Sequence, residues 1–392
     1  MRRVCIGLMM LLLMLVPSVP AQMDSLVQLK LEDTLEDNDL GINTGAVSPD
    51  GLHVLIAGEE GYARLLSAND AGERGSDIEL NSGRSQAFQD LAWHPRGNTA
   101  LLVGDFGMAM RYDSEDYSIG PVNGSGGVFG LNLTTVAWRP AGDYAYFGAA
   151  DGSIWQFSEG TGLVQLEGTG SSEIKDISCH RQENICVVAT LADGVATIGQ
   201  THDVTYLSGT SAQTWIGVDC ADPVLNVCVG YASGLKTQDI RLNLIDPSQS
   251  EPKNLMQFGT LEGDFTAVSR GHDRTTLIHM APFSTVRQDP VISEAFVQIT
   301  AQDAQEWDPV IAGRSVSFVW ENDFREGFII TSFGNIISFS PEPVVEVDNS
   351  IMTVAVLAAV VIAVPGTILG LIYMNSTTLQ RWYTNWRKRS KS

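Results

Sequence analysis

One line of sequence recurs along most of this chain: an apolar strand, a turn, a second apolar strand, then a glycine-centred turn. Repetition of this kind limits the fold more than any single motif, because a unit too small to bury its own apolar face must stack on copies of itself. The clearest copy reads Val136-Ala137-Trp138-Arg139-Pro140-Ala141-Gly142-Asp143, followed by Tyr144 to Gly148, Asp151-Gly152 and Ser153 to Phe157. Earlier copies open with Ala46-Val47-Ser48-Pro49-Asp50-Gly51 and Ala92-Trp93-His94-Pro95-Arg96-Gly97, and run to Glu60-Gly61 and Phe106-Gly107. Two more begin at Ile177-Ser178-Cys179 and Val218-Asp219-Cys220, with Asp193-Gly194 and Ser233-Gly234 as their later turns. Fainter copies pair Thr266–Ser269 with Thr276–Met280, and Phe318–Trp320 with Phe328–Thr331. With the position of Trp138 as the marker, the series is 47, 93, 138, 179, 220, 268 and 320, at intervals of 46, 45, 41, 41, 48 and 52.

Periods of about 40 to 50 residues with four strands each mark the blades of a propeller. Seven markers therefore predict an all-β, seven-bladed β-propeller of four-stranded antiparallel blades over residues 22–341. Blade three ends in Gly162-Leu163-Val164-Gln165-Leu166-Glu167, and the start of the domain, Ser25-Leu26-Val27-Gln28-Leu29-Lys30-Leu31-Glu32, is nearly the same strand. Blade seven has only three strands after its marker, so Leu26–Glu32 is expected to supply its outer strand and close the ring. Over roughly residues 25 to 340 the chain resembles the WD-repeat-type β-propellers. Ser48-Pro49-Asp50-Gly51 matches the Ser-Pro-Asp-Gly hairpin of those families, and Val103-Gly104-Asp105-Phe106-Gly107 looks like propellers similar to the photosystem assembly factors. The Gly-His and Trp-Asp dipeptides of true WD repeats are absent. Trp93, Trp138 and Trp320 are assigned to one blade position, each filling the gap between neighbouring sheets.

The two ends give an expected address. Arg2 and Arg3, the apolar run Val4–Val16, and Val19 and Ala21 before Gln22 form a signal peptide, residues 1–21, with cleavage between Ala21 and Gln22. A linker, 342–350, leads to Ile351–Met374, an uncharged stretch long enough to cross a bilayer as one helix. The tail, 375–392, carries Arg381, Arg387, Lys388, Arg389 and Lys391 with Trp382, Tyr383 and Trp386 among them. Basic residues stay on the cytoplasmic side, so the expected form is a single-pass protein of the cell membrane, propeller outside and tail in the cytoplasm. Gly366 and Gly370 make one GxxxG, a pattern that lets two spans approach as a homodimer.

Charge sharpens the class. The chain has 24 Lys and Arg against 46 Asp and Glu, a net −22. Setting aside the two leader arginines and five tail cations leaves 17 basic against 46 acidic residues in the exported part, near −29. Such a surface repels phosphate backbones and excludes nucleic-acid binding through a basic face.

Chemistry-bearing residues are sparse. Loss of Cys5 with the leader leaves Cys179, Cys186, Cys220 and Cys228, which allow three connectivities. The repeat favours Cys179–Cys186 and Cys220–Cys228, each closing the first hairpin of its own blade in an oxidising compartment; free core thiols are the alternative. His94 and His180 share the turn after the first strand, where a solvent-facing polar residue is expected. No GxSxG elbow and no HExxH is present, and no catalytic residue is assigned. Asp37-x-Asp39-x-Gly41 resembles part of a calcium loop but lacks the later glutamate, so Asp37 and Asp39 are weak cation candidates and no cofactor is expected. Asn123-Gly-Ser125 and Asn132-Leu-Thr134 are glycan acceptors by pattern.

These features predict a membrane-tethered protein-binding or assembly scaffold whose partner, a protein such as another membrane protein, meets the loops Glu32–Thr44, Pro121–Leu133, Glu167–Lys175 and the long Ala281–Ser293 insertion. Acidic loops favour a cationic partner. The alternative is an exported hydrolase or quinone-dependent oxidoreductase with its site at the central channel, where the first strands are expected to offer only Ala46, Ala92 and Ala137.

Overall fold

The computed structural model describes residues 26–258, 263–271, 274–281, 283–289, 294–300, 314–341, 363–364 and 366–389. The leader, its cleavage site and Cys5 lie outside these residues, as do the linker and the first half of the expected span. The chain divides into two compact units, Met1–Pro341 and Glu342–Ser392.

The first unit is a ring of seven antiparallel sheets, each of four strands. After β1 (Val27–Thr34), blade one comprises β2 (Ile42–Val47), β3 (His53–Gly58), β4 (Tyr62–Ser67) and β5 (Ile78–Asn81). Blade two comprises β6 (Phe88–Trp93), β7 (Thr99–Gly104), β8 (Met108–Asp113) and β9 (Ser118–Pro121). Blade three comprises β10 (Leu133–Trp138), β11 (Ala145–Ala149), β12 (Ile154–Ser158) and β13 (Gly162–Gln165). Blade four comprises β14 (Ile174–Cys179), β15 (Cys186–Thr190), β16 (Val195–Ile198) and β17 (Val204–Tyr206). Blade five comprises β18 (Trp215–Asp219), β19 (Val227–Ala232), β20 (Lys236–Arg241) and β21 (Glu251–Gln257). Blade six comprises β22 (Asp264–Arg270), β23 (Thr276–Ala281), β24 (Ser284–Asp289) and β25 (Glu294–Ile299). Blade seven is built from both ends of the domain: β26 (Val316–Asp323), β27 (Glu326–Thr331), β28 (Asn335–Pro341) and, outermost, β1 (Val27–Thr34). The expected closing strand is thus present, antiparallel to β28 with Leu29 opposite Phe339.

Every first strand carries a bulge at the same place, between Ile42 and Thr44, Phe88 and Asp90, Leu133 and Thr135, Ile174 and Asp176, Trp215 and Gly217, Phe265 and Ala267, and Val316 and Phe318. A bulge leaves one residue unpaired and bends the strand, which suits the crowded inner edge of a ring. Counted from this landmark, the equivalents of Trp138 are Val47, Trp93, Cys179, Cys220, Arg270 and Glu321. The markers at 268 and 320 are therefore two residues and one residue early. Trp320 does not share the place of Trp93 and Trp138, and its side chain packs on the following blade instead of the preceding one. The register was lost because Arg270 and Glu321 are charged where the other blades are apolar or cysteine.

There is no single core. The buried apolar residues fall into seven clusters, each between two consecutive blades. Trp93 packs against Leu55 and Ala57 of blade one, and its indole N–H donates to the Ala46 carbonyl at 2.9 Å. Ala46, Ala92 and Ala137 lie in these seams rather than along the channel, and their small size lets the next sheet come close. Full burial of one large aromatic or aliphatic side chain contributes about 1.5–3 kcal/mol, so each seam outweighs any of its polar contacts.

Blade six corrects a second expectation. Ala281–Ser293 is not a loop insertion, because it contains the third strand, β24. Few apolar residues mark this strand. Arg287 is instead buried with Glu321 of blade seven, Nη1 to Oε1 2.6 Å, while its guanidinium also lies over the Phe324 ring.

In the second unit, residues 363–364 and 366–375 are helical and α1 spans Thr377–Arg389. Among the described residues no helix is long and apolar enough to cross a membrane.

A buried ion pair that loses one member leaves an uncompensated charge. Arg287→Ala is therefore expected to destabilise the propeller by about 3–5 kcal/mol, whereas Arg287→Met with Glu321→Leu recovers most of that loss. Chemical denaturation of the three proteins checks this, and a double variant no better than the single one would contradict it.

Candidate protein-binding face

Alternating strand direction places the loops between blades and the turns between second and third strands on one face of the ring. The chain stitches the two sets together there. Asp193, on the β15–β16 turn, accepts the backbone N–H groups of Ser171 and Ser172 at 2.7 Å each, from the loop between blades three and four. The Ser82 hydroxyl donates to the Gly61 carbonyl at 2.9 Å. Gly107 N–H donates to Leu131 O, Gly130 N–H to Phe106 O, and Phe106 N–H to the Asn132 side-chain oxygen. At Gly107, φ is +78° and a Cβ would stand 2.1 Å from the Val128 carbonyl oxygen, so only glycine fits.

Phe106 is held in the left-handed region at φ 57°, and Glu60 takes the same place in blade one at φ 53°. That conformation costs an ordinary side chain on the order of 1 kcal/mol or more. Phe106 nevertheless remains 66% exposed, and Phe129, on the adjoining loop, is 84% exposed. The turns that carry Glu59, Glu60, Asp105 and Asp151 belong to the same face. Two exposed phenyl rings on adjoining loops thus share a face with several carboxylates.

Asp37, Asp39, Asn123 and Asn132 lie on blade-to-blade loops of the same face. Asp37 and Asp39 are exposed, and Asp39 Oδ1 accepts Gly41 N–H at 3.1 Å. Among the described residues no three His, Cys, Asp or Glu side chains are grouped so as to hold a metal ion. Asn123 and Asn132 are exposed on the loop between blades two and three. Both disulfides form within their own hairpins, Cys179–Cys186 and Cys220–Cys228. The first joins residues directly opposite in the ladder, which is why the repeat could pair them.

The inner edge of the ring carries polar chemistry that pattern reading missed. Bulge residues donate to the first-strand carbonyl of the next blade: Asn43 to Phe88 O at 2.9 Å, Thr134 to Ile174 O at 2.5 Å, and Ser317 to Ile42 O at 2.6 Å. Asp90 joins three blades, accepting from the Thr44 hydroxyl, the Thr135 hydroxyl and Val136 N–H. Asp176 accepts Val218 N–H at 2.9 Å across the seam between blades four and five. Burial raises the Asp90 carboxyl and drives that of Asp176 up to about 7, with Asp90 and Asp219 adding repulsion at Asp176. Asp219 meets Arg270 and Thr276 of blade six.

His94 and His180 are not solvent-facing residues. His180 is buried and His94 half-buried. Each ring accepts backbone N–H at Nδ1, so Nε2 carries the proton and donates to the next blade, to Gly142 O at 3.0 Å and Leu225 O at 3.1 Å. On that second face Arg181 gathers with Arg270 and Arg274, and burial followed by repulsion from Arg270 lowers its guanidinium to about 10.

The pair that most resembles a catalytic one is Ser269 and His279, Oγ to Nε2 2.5 Å. Both are buried inside blade six, and burial pushes the imidazole down to about 3, too weak a base to activate the hydroxyl near neutrality. The pair fills space in the sheet.

No family model and no curated protein matches the chain. Among solved structures, the β-propeller domain of Myceliophteria thermophila Cps50 (Swd1) is similar, with a TM-score of 0.60 at 11% identity, covering 80% of this chain and 99% of that one. At that identity the likeness shows the fold alone, and it agrees with the seven-bladed ring.

Because burial raises the Asp176 pKa above its ordinary value, the neutral carboxyl fits the fold, and its contribution is lost as pH rises through about 7. Asp176→Asn keeps an acceptor for Val218 N–H and removes that cost. Its thermal midpoint is expected to exceed the parent's at pH 8, with the gap narrowing below pH 7 and closing only near pH 4, where the carboxyl is neutral in the unfolded chain as well. An equal loss at both pH values would contradict this assignment.

Proposed function

We propose that this chain is a non-catalytic scaffold, tethered to a membrane from outside the cytoplasm, which holds a protein partner on the face bearing Phe106 and Phe129. The observation that carries this reading is the pair of exposed phenyl rings on adjoining loops, one of them kept in an unfavourable backbone conformation. Aromatic side chains supply much of the binding energy at protein interfaces, because they bury large area with few torsions to freeze. Two such rings on adjoining loops make a joint apolar surface, unlike a side chain exposed singly. The carboxylates of the same face favour a partner with a cationic rim and speed its approach.

Tethering is supported by the uncharged stretch Ile351–Met374 and the basic tail beyond it, and the exterior location by the leader-like first 21 residues. The two hairpin disulfides agree with an oxidising compartment. A tether brings the acidic face close to other membrane proteins, which makes a membrane subunit the natural partner. Gly366 and Gly370 are exposed in the second unit, and a homodimer through them is compatible with such a tether.

A photoactivatable side chain placed at 106 or 129 in the full chain, irradiated in intact membranes, is expected to give discrete conjugates identifiable by mass spectrometry. The same group at Ile245, 97% exposed on a turn of the opposite face, serves as the reference. Conjugates equal in kind and amount at all three positions would overturn the assignment of this face.

A further inference from the structure

The helix α1 has an amphipathic pattern of its own. Leu379, Trp382, Tyr383 and Trp386 follow one another at i, i+3, i+4 and i+7, which puts them on one face of a helix with 3.6 residues per turn. All four are exposed. Arg381 and Lys388 lie at the opposite pole, with Arg387 and Arg389 at the flanks, and there is no carboxylate anywhere from Ala363 to the C-terminus.

The helix before it does not simply continue into α1. Helical residues 366–375 end at Ser376, whose N–H still donates to Ile372 O. Ser376 then opens α1 as an N-cap, its hydroxyl accepting Leu379 N–H at 3.3 Å. Gln380 reaches back and donates from Nε2 to the carbonyls of Tyr373 and Met374, both at 3.0 Å, satisfying groups that a helix end leaves open. The break at Ser376 is therefore capped on both sides, so α1 is a distinct element.

We infer that α1 lies in the plane of an anionic lipid leaflet, with Trp382, Tyr383 and Trp386 in the headgroup layer and the four cations facing lipid phosphates. Indole and phenol rings favour this layer because one end is apolar and the other hydrogen-bonds. Each Lys or Arg near such a surface adds about 1 kcal/mol of attraction. Place in the sequence selects a lipid surface over an acidic protein, because the rings and cations of α1 follow directly on the uncharged stretch Ile351–Met374, where a headgroup layer would lie. This inference rests on the tethered reading for that choice and for the side of the membrane on which α1 lies.

The test uses the full chain in a Cys5→Ser background, reconstituted in phosphatidylcholine vesicles with and without phosphatidylglycerol. Nitroxides are attached singly at cysteines placed from 379 to 388. Collision with oxygen is expected to exceed collision with a water-soluble nickel complex at 379, 382, 383 and 386. The order reverses at 381, 384 and 388, with the contrast larger when phosphatidylglycerol is present. Arg381→Glu with Lys388→Glu is expected to abolish that lipid dependence. Uniform access to nickel along the segment would overturn the inference while leaving the tether intact, and uniform burial would show α1 to be part of the span. Alkaline carbonate extraction reads the tether separately. If it releases the protein, flotation of the full chain with phosphatidylglycerol vesicles, lost in Trp382→Ala/Trp386→Ala, still supports α1 as a lipid-binding helix. Absence of flotation would sink it.

Discussion

A ring of sheets is stable only when its last seam is as good as the others. Here that seam depends on a strand separated from its neighbours by nearly the whole domain. β1 pairs along its length with β28, from Val27 opposite Pro341 to Thr34 opposite Asn335. It also brings Val27 and Leu29 into the cluster between blades six and seven. Both chain ends are held in one sheet, and an otherwise open edge is covered. The seven seams then share the same nearest-neighbour design, in which each blade is stabilised by the two beside it.

The polar residues of the inner strands refine this design. Seams alone would let blades slide, because apolar contact is non-directional. Asp90, Asp176, His94 and His180 each bind backbone groups of the next blade, which fixes the offset between sheets. Hydrogen bonds offset much of the penalty for burying these groups, and the raised pKa of Asp90 and, further, of Asp176 records what remains. The same arrangement uses the channel edge for structure. This leaves the loop face, with Phe106 and Phe129, as the part of the ring free to vary with a partner.

Much of this was legible in the sequence because the determinants are local. Blade number follows from the repeat, the closing strand from the likeness of Leu26–Glu32 to Leu163–Glu167, and the disulfides from hairpins that oppose Cys179 to Cys186. The failures share one physical cause. Where a polar residue is buried through a partner in another blade, its own neighbourhood in sequence looks solvent-facing. Arg270 and Glu321 displaced two markers, Arg287 disguised β24 as loop, and His94 and His180 read as surface turns. Ala46, Ala92 and Ala137 erred the other way, since small apolar residues fit a narrow seam as well as a bland channel. The exposed rings of Phe106 and Phe129 carried no local signal, because exposure is decided by loops that meet only in the folded ring.

Native-state hydrogen exchange of the full chain tests the closed ring most directly. The account predicts that the amides of Val27–Thr34 that pair with β28 exchange only through global unfolding, as slowly as those of the inner strands. If β1 instead exchanged as fast as a surface loop while β26 to β28 stayed protected, blade seven would be complete without it, and the closure on which the seams depend would be wrong.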